Sequence, residues 1–287
     1  MKKSIVLLLV WGIGGLAFGQ SSNSLLWEVS GNGLKKSSYL FGTYHLISSS
    51  FIDSLPVIHQ CYAKTEGVVG EMVLDPSMAS KMMSAVLMKD STLDELMSPE
   101  EYKLVGTYLK ETSGMNIALF NKMKPVVVGT LFYKAIMPAN DTGKPMDLYF
   151  QEESKADGKR VVGLETLDEQ MDVLFNGTSL KQQAAALVKA AREKEKYTAE
   201  MMRTNRCYRD GDMDCLVKFM TEDETMTTAE MERLLYARNR NWMKQLPGLM
   251  SAGPVFVAVG AGHLPGEGGL IGLLKQAGYT VTPVAIR

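Results

Sequence analysis

Six short apolar runs rich in β-branched residues recur along the chain, and their wide spacing is what most constrains its fold. They are "LLWEV", "SYLFGT", "GVVGEMVL", "KRVVGLE", "PVFVAVG" and "YTVTPVAI". Runs of this length and composition read as strands. Between them, residues 77–88, 98–111, 121–137, 179–196, 213–220 and 228–244 carry apolar positions near the helical repeat, and "GEGGLIGLLKQAGY" reads as a helix ended by Gly278. Ser98-Pro99-Glu100-Glu101 is a helix start, with proline in the first turn and acids at the positive end. Strand, helix, strand predicts an α/β fold. Gly31-Asn32-Gly33 supplies turn chemistry between the first two runs and predicts an N-terminal hairpin. The expectation is a mixed central sheet with flanking helices. The helical stretches at about 76–146 and 178–250 are too long for simple crossovers and predict a helical cap. Methionine, 20 residues in all, gathers there in "MASKMMSAVLMKD" and "YTAEMMRTNRC". Thioethers can line an adaptable groove, but filling irregular helix contacts is the plainer reading.

The opening "MKKSIVLLLVWGIGGLAFGQSS" has two lysines, an apolar stretch and small residues before Gln20. It reads as a signal peptide over residues 1–19, with a retained anchor as the alternative, and leaves a domain over 20–287. Export to a periplasmic or extracellular setting, with no membrane span after cleavage, follows. The formal charge of −1 becomes −3 once Lys2 and Lys3 are removed, which points to no nucleic acid and no other strongly charged partner. An oxidising compartment suits a small loop closed through Cys207 and Cys215 with Cys61 left as a thiol, although three cysteines allow other pairings. Asn140 and Asn176 match the glycosylation pattern, by chance in a chain with a bacterial-looking leader.

Four runs end in, or next to, a proton carrier or metal ligand: His45, Glu71, Glu165 and His263. Ligands bind at the carboxyl edge of an open α/β sheet, so these four are expected to converge. Gly42, Gly260 and Gly262 precede the imidazoles, where they allow a sharp strand exit and close approach. Glu71 interrupts an apolar run, and a carboxylate there costs several kcal/mol unless it is paired, hydrogen-bonded or metal-bound. Arg238 and Lys159 are candidate structural partners. His59, on a helix after Pro56, reads as a packed or surface residue. No Gly-x-Ser-x-Gly, His-Glu-x-x-His, Walker or dinucleotide fingerprint is present.

With these residues in place, "LLWEVSGNGLKKSSYLFGTYHLI", "GVVGEMVLDP", "GKRVVGLETLDEQMDVL", "YARNRNWMKQL" and "VFVAVGAGHLPGEGGLIGLLKQAGYTVTPV" together resemble the TraB/GumN family, which includes the Tiki metalloproteases. The resemblance runs from about residue 25 to 284. It implies a fold related to the erythromycin esterase and ChaN-like group, and peptidase activity dependent on a divalent cation, with manganese or cobalt the usual candidates and zinc a third. The paired family motifs fall on Gly42-Thr43-Tyr44-His45 and Gly260-Ala261-Gly262-His263, the motif acid on Glu71, and the Arg-Asn pair on Arg238-Asn239. By that analogy His45, Glu71 and His263 hold the metal, which activates a water for attack on a peptide or protein substrate. Glu165 acts as general base or second ligand, Arg238 stabilises developing negative charge, and Tyr44 and Asn239 lie beside the substrate. Two alternatives stand next to this one. His45 activates water without a metal, oriented by Glu71; or the protein is a periplasmic peptide- or haem-binding module without catalysis.

Overall fold

The computed structural model describes residues 24–135, 137, 143–221 and 227–286. The expected leader and Asn140 lie outside the described residues. Strands β1 (Leu26–Ser30) and β2 (Ser38–Thr43) form the expected antiparallel hairpin. Its turn takes left-handed backbone at Gly31, Asn32 and Gly33, with φ of 74°, 47° and 82°, conformations that glycine and asparagine tolerate. β3 (Gly67–Gly70), β4 (Arg160–Gly163), β5 (Val255–Gly260) and β6 (Thr280–Val284) complete a six-stranded mixed sheet in the order β4-β3-β5-β2-β1-β6. β1 runs antiparallel to both its neighbours, and the other pairings are parallel. The carboxyl ends of β2, β3, β4 and β5 therefore share one edge. Pro283, which has no N–H to give a ladder, sits in the edge strand β6.

The run at 67–74 pairs only as far as Gly70, so Glu71 is the first residue beyond β3 rather than a member of a buried strand. There the ladder gives way to a local tie in which Leu164 and Glu165 donate their N–H groups to the Glu71 carbonyl, at 3.0 and 2.9 Å. Both acids thus leave the sheet side by side.

Phe41 on β2, Phe256 on β5 and Phe150 form the centre of the sheet core, with Phe150 and Phe256 ring centroids 4.8 Å apart. Phe150 belongs to a helix over Met146–Ala156 that lies against β3, β4 and β5. A second core lies away from the sheet, where Val105, Leu109, Val128, Phe132, Leu187 and Val188 bring together helices Pro99–Ser113, Pro125–Thr130 and Leu180–Arg192. Segments from both predicted helical stretches build this cap. The later part of the second stretch returns to the sheet core through Cys207, Tyr208, Trp242 and Leu246. The helix predicted at 179–196 breaks at Glu193 and a second one spans Lys194–Asp210. Helices Met146–Ala156 and Leu167–Phe175 lie outside the sequence-based assignment. Met88 and Met97 fill the cap core, while Met82, Met83 and Met202 remain exposed.

Cys207 and Cys215 form the disulfide, Cα atoms 5.8 Å apart, and Cys61 is a buried free thiol. Next to that bridge, Tyr208 donates its hydroxyl to the Gly42 carbonyl at 2.7 Å and so fixes the end of β2. Among the described residues no helix is long and apolar enough to cross a membrane.

The glycines before the imidazoles serve packing more than turning, since Gly42, Gly260 and Gly262 all lie outside the left-handed region. A Cβ on Gly42 would come within 2.9 Å of Ala261 Cα, on the turn that carries His263. On Gly262 it would meet Met220 Sδ at an ordinary 3.4 Å. Gly42→Ala is therefore expected to lose roughly 1–3 kcal/mol through forced backbone shifts, while Gly262→Ala stays close to wild type, as measured by urea unfolding of both variants.

Candidate active site

A turn over Ala261–His263 follows β5 directly and carries His263 into the edge, where its ring is almost wholly buried. Helix Ala237–Trp242 supplies three of the ring's neighbours. Asn239 donates its Nδ2 to the carbonyls of His263 and Gly268, at 3.0 and 2.9 Å, so its Oδ1 is the atom facing His263 Nδ1 at 2.7 Å. That arrangement assigns the proton to Nδ1 and leaves a lone pair on Nε2. Trp242 covers the ring face with centroids 4.3 Å apart. Burial pushes the imidazole pKa down to about 3 despite the pull of Glu71, so His263 is neutral at ordinary pH.

Arg238 lies one helical turn before Trp242 and just after a π-helical turn over Glu232–Tyr236, a local irregularity common at functional sites. Its five N–H groups are all engaged. Nε donates to Glu165 Oε2 at 3.0 Å, and Nη2 to Glu71 Oε2 at 2.6 Å and to Glu165 Oε1. Nη1 donates to the Leu234 carbonyl and to His263 Nε2, both at 3.0 Å. The carboxylates are committed too. Glu71 accepts from the Gly260 N–H at 2.9 Å and from Gln170 Nε2 at 2.9 Å, and Glu165 from Trp242 Nε1 at 3.3 Å. Burial alone would raise the Glu71 pKa; the charges of His263 in its protonated form and of Arg238, with the Gly260 N–H, outweigh it and hold the carboxyl down to about 2.

Among the described residues His45 shares no hydrogen bond with this cluster but borders the same cavity as Glu71. Its ring is 74% exposed and lines a cavity open to solvent, together with Glu71, Met72, Leu74, Pro145, Asp147, Gln151 and Gln170. Asp147, in the first turn of helix Met146–Ala156, receives the Thr43 hydroxyl on Oδ1 at 2.8 Å. Its buried Oδ2 faces His45 Nδ1 at 3.3 Å, ion-pair distance without the alignment of a full hydrogen bond. Contact with Asp147 raises the His45 pKa to about 9 against the opposing effect of desolvation. Water screens so exposed a pair, so it adds little to stability.

The edge therefore gathers His45, Glu71, Glu165, Arg238, Asn239 and His263, in roles that differ from several expectations. Asp147, rather than Glu71, orients His45. Asn239 is fully buried and occupied in holding His263, which leaves nothing for a substrate. Tyr44 stacks on Tyr208 with centroids 5.1 Å apart and is absent from the cavity wall. With all five donors engaged, Arg238 has none free for an oxyanion. Two of the three residues expected to hold a metal are already engaged: Nε2 of His263 and both oxygens of Glu71 accept hydrogen bonds from Arg238, Gly260 and Gln170. Among the described residues no three His, Cys, Asp or Glu side chains form a metal-holding group. Sequence reasoning missed Asp147 and Gln170. The only signal for Asp147 was an acid just after a proline at a helix start, which ordinary helix-end electrostatics also produces. His59 stays at the surface near Asp53, as expected.

The carboxyl edge of the sheet thus carries two strand-exit histidines and two strand-exit glutamates, with the Arg238-Asn239 pair of a helix packed against them. The TraB/PrgY/gumN family model matches residues 25–283, and the chain belongs to that family. It is 24% identical to "Metalloprotease TIKI2" of Danio rerio, over 90% of this chain and 60% of the relative. The figures for "Metalloprotease TIKI1" of Xenopus tropicalis are 24%, 90% and 61%. The chain thus spans about three fifths of the length of these relatives. No solved structure is a significant match.

The His45 and Asp147 geometry makes a direct prediction. In an NMR titration the His45 ring should give a pKa near 9, and Asp147→Asn should lower it toward the ordinary histidine value of about 6.5, with the neutral His263 ring unchanged.

Proposed function

We propose that this protein is a hydrolase acting on peptide bonds, with His45 as its proton-transfer group. The observation that carries this reading is the His45 ring in an open cavity, its Nδ1 against Asp147 and its Nε2 without a partner among the described residues. In the neutral form Nε2 takes a proton from an attacking water, and the resulting imidazolium, balanced by Asp147, returns it to the leaving amine. Met72, Leu74 and Pro145 give the cavity an apolar wall for a substrate side chain, while Gln170 and Glu71 border it with polar groups. Gln151 fixes that wall, accepting the Leu74 N–H at 2.8 Å and donating to the Met72 carbonyl at 2.9 Å. Arg238, Glu165 and His263 act from beneath as the fixed support of Glu71. The names of the relatives support the peptide-bond assignment. The Cys207–Cys215 disulfide supports an exported protein working in an oxidising compartment.

A peptide-library cleavage screen with and without chelator tests this. His45→Ala should stay folded by circular dichroism and lose about 100-fold or more in kcat, the scale of a general acid–base group, while chelator leaves wild-type turnover unchanged. Turnover abolished by chelator would assign the chemistry to manganese, cobalt or zinc instead. Peptide or haem binding without any cleavage would make the protein a binding module. Because His45 acts as a base only after losing its proton, kcat/KM should rise with pH toward about 9, and Asp147→Asn should move that rise to lower pH.

A further inference from the structure

We infer that Glu71, Glu165 and His263 form a socket for a planar guanidinium, and that Arg238 is its resident cation, engaging two of the three residues expected to hold a divalent ion. The inference concerns cation binding and stands independently of whether the protein cleaves peptides.

Three features select this cation. Glu165 meets Arg238 side-on, its two oxygens facing Nε and Nη2, which is the fork geometry specific to guanidinium and carboxylate. Glu71 Oε2 and His263 Nε2 then accept from the outer N–H groups in two further directions, so the acceptors are arranged around a flat donor. Finally, the indole of Trp242 lies 4.9 Å from Arg238 Cζ. Stacking on an aromatic face favours a flat, delocalised cation over a compact ammonium.

The neutral tautomer of His263 belongs to the same design. Asn239 is bound by two carbonyls in the orientation that keeps a proton on Nδ1. Nε2 is thereby committed as an acceptor. An ammonium at position 238 could satisfy one or two of these acceptors but not the set, because its donors diverge from a point.

Chemical rescue tests the socket without using activity. Arg238→Ala is expected to melt well below wild type. Millimolar methylguanidinium should recover most of the lost Tm, whereas manganese, cobalt and zinc ions and methylammonium should not, and Arg238→Lys should melt close to the alanine variant. Dialysed wild type should carry no stoichiometric divalent metal by elemental analysis and show no calorimetric binding of manganese, cobalt or zinc at this site. If Arg238→Ala does not fold, the wild-type Arg238 side chain can be followed by NMR, where its Nη protons should be separately resolved through restricted rotation and unmoved by zinc. Stoichiometric divalent binding by wild type, rescue by divalent ions in preference to methylguanidinium, rescue by neither, or zinc-dependent movement of the Nη signals would each overturn the socket. A peptide screen without cleavage would overturn the hydrolase reading and leave the socket standing.

Discussion

The guanidinium of Arg238, buried between Glu71, Glu165 and His263, is the interaction on which the arrangement of the sheet edge depends. Two carboxylates leave adjacent strands side by side, almost removed from water. Without a cation between them their repulsion and lost hydration would oppose the packing of β3 against β4 and of the turn after β5. Burial opposes the charge on Arg238 as well, and the paired acids outweigh it, raising its pKa above the ordinary arginine value. Breaking such a cluster by removing one member leaves uncompensated charge, so each member holds the others in their ionisation states.

This cluster divides the edge into a buried support and an accessible cavity. Beneath, every donor and acceptor is spent on internal bonds, which suits a rigid floor and denies Arg238 and Asn239 direct contact with a substrate. Above, His45 and Asp147 share one contact and face solvent. Glu71 belongs to both layers, since it accepts from Arg238 and Gly260 below and borders the cavity above. The electrostatics follow the same division. His263 is pushed down and stays neutral in its buried seat, whereas His45 is pushed up beside a carboxylate at the open face. Two histidines in matching sequence settings thus acquire opposite protonation preferences, set by burial in one case and by a neighbouring carboxylate in the other.

Much of this was legible in the amino-acid order. Apolar runs of five to eight residues identified all six strands, although Glu71, inside its run, fell outside the strand because the ladder between β3 and β4 ends at Gly70 and Gly163. The strand-exit positions of His45, Glu71, Glu165 and His263 followed from those runs, and Arg238 was a stated partner for a buried acid. Gly42 was legible as necessary but not for the right reason: it is required by the approach of Ala261, a contact between residues more than 200 positions apart. Helices Met146–Ala156 and Leu167–Phe175 escaped notice, one beginning just after a stretch read as part of the cap, the other lying behind the "GLET" strand exit.

By itself the sequence determined the alternation of strands and helices, the hairpin at its start and the set of acids and imidazoles delivered to one edge, because those depend on short-range periodicity and on the parallel order it enforces. Only the tertiary structure decided which of those groups face each other. Arg238 meets Glu71 from 167 positions away and Asp147 meets Thr43 from 104 positions away. No local pattern encodes such pairings, since they are fixed by how helices settle on the sheet, and that settling decides which histidine carries a charge and which cation fills the space between the glutamates.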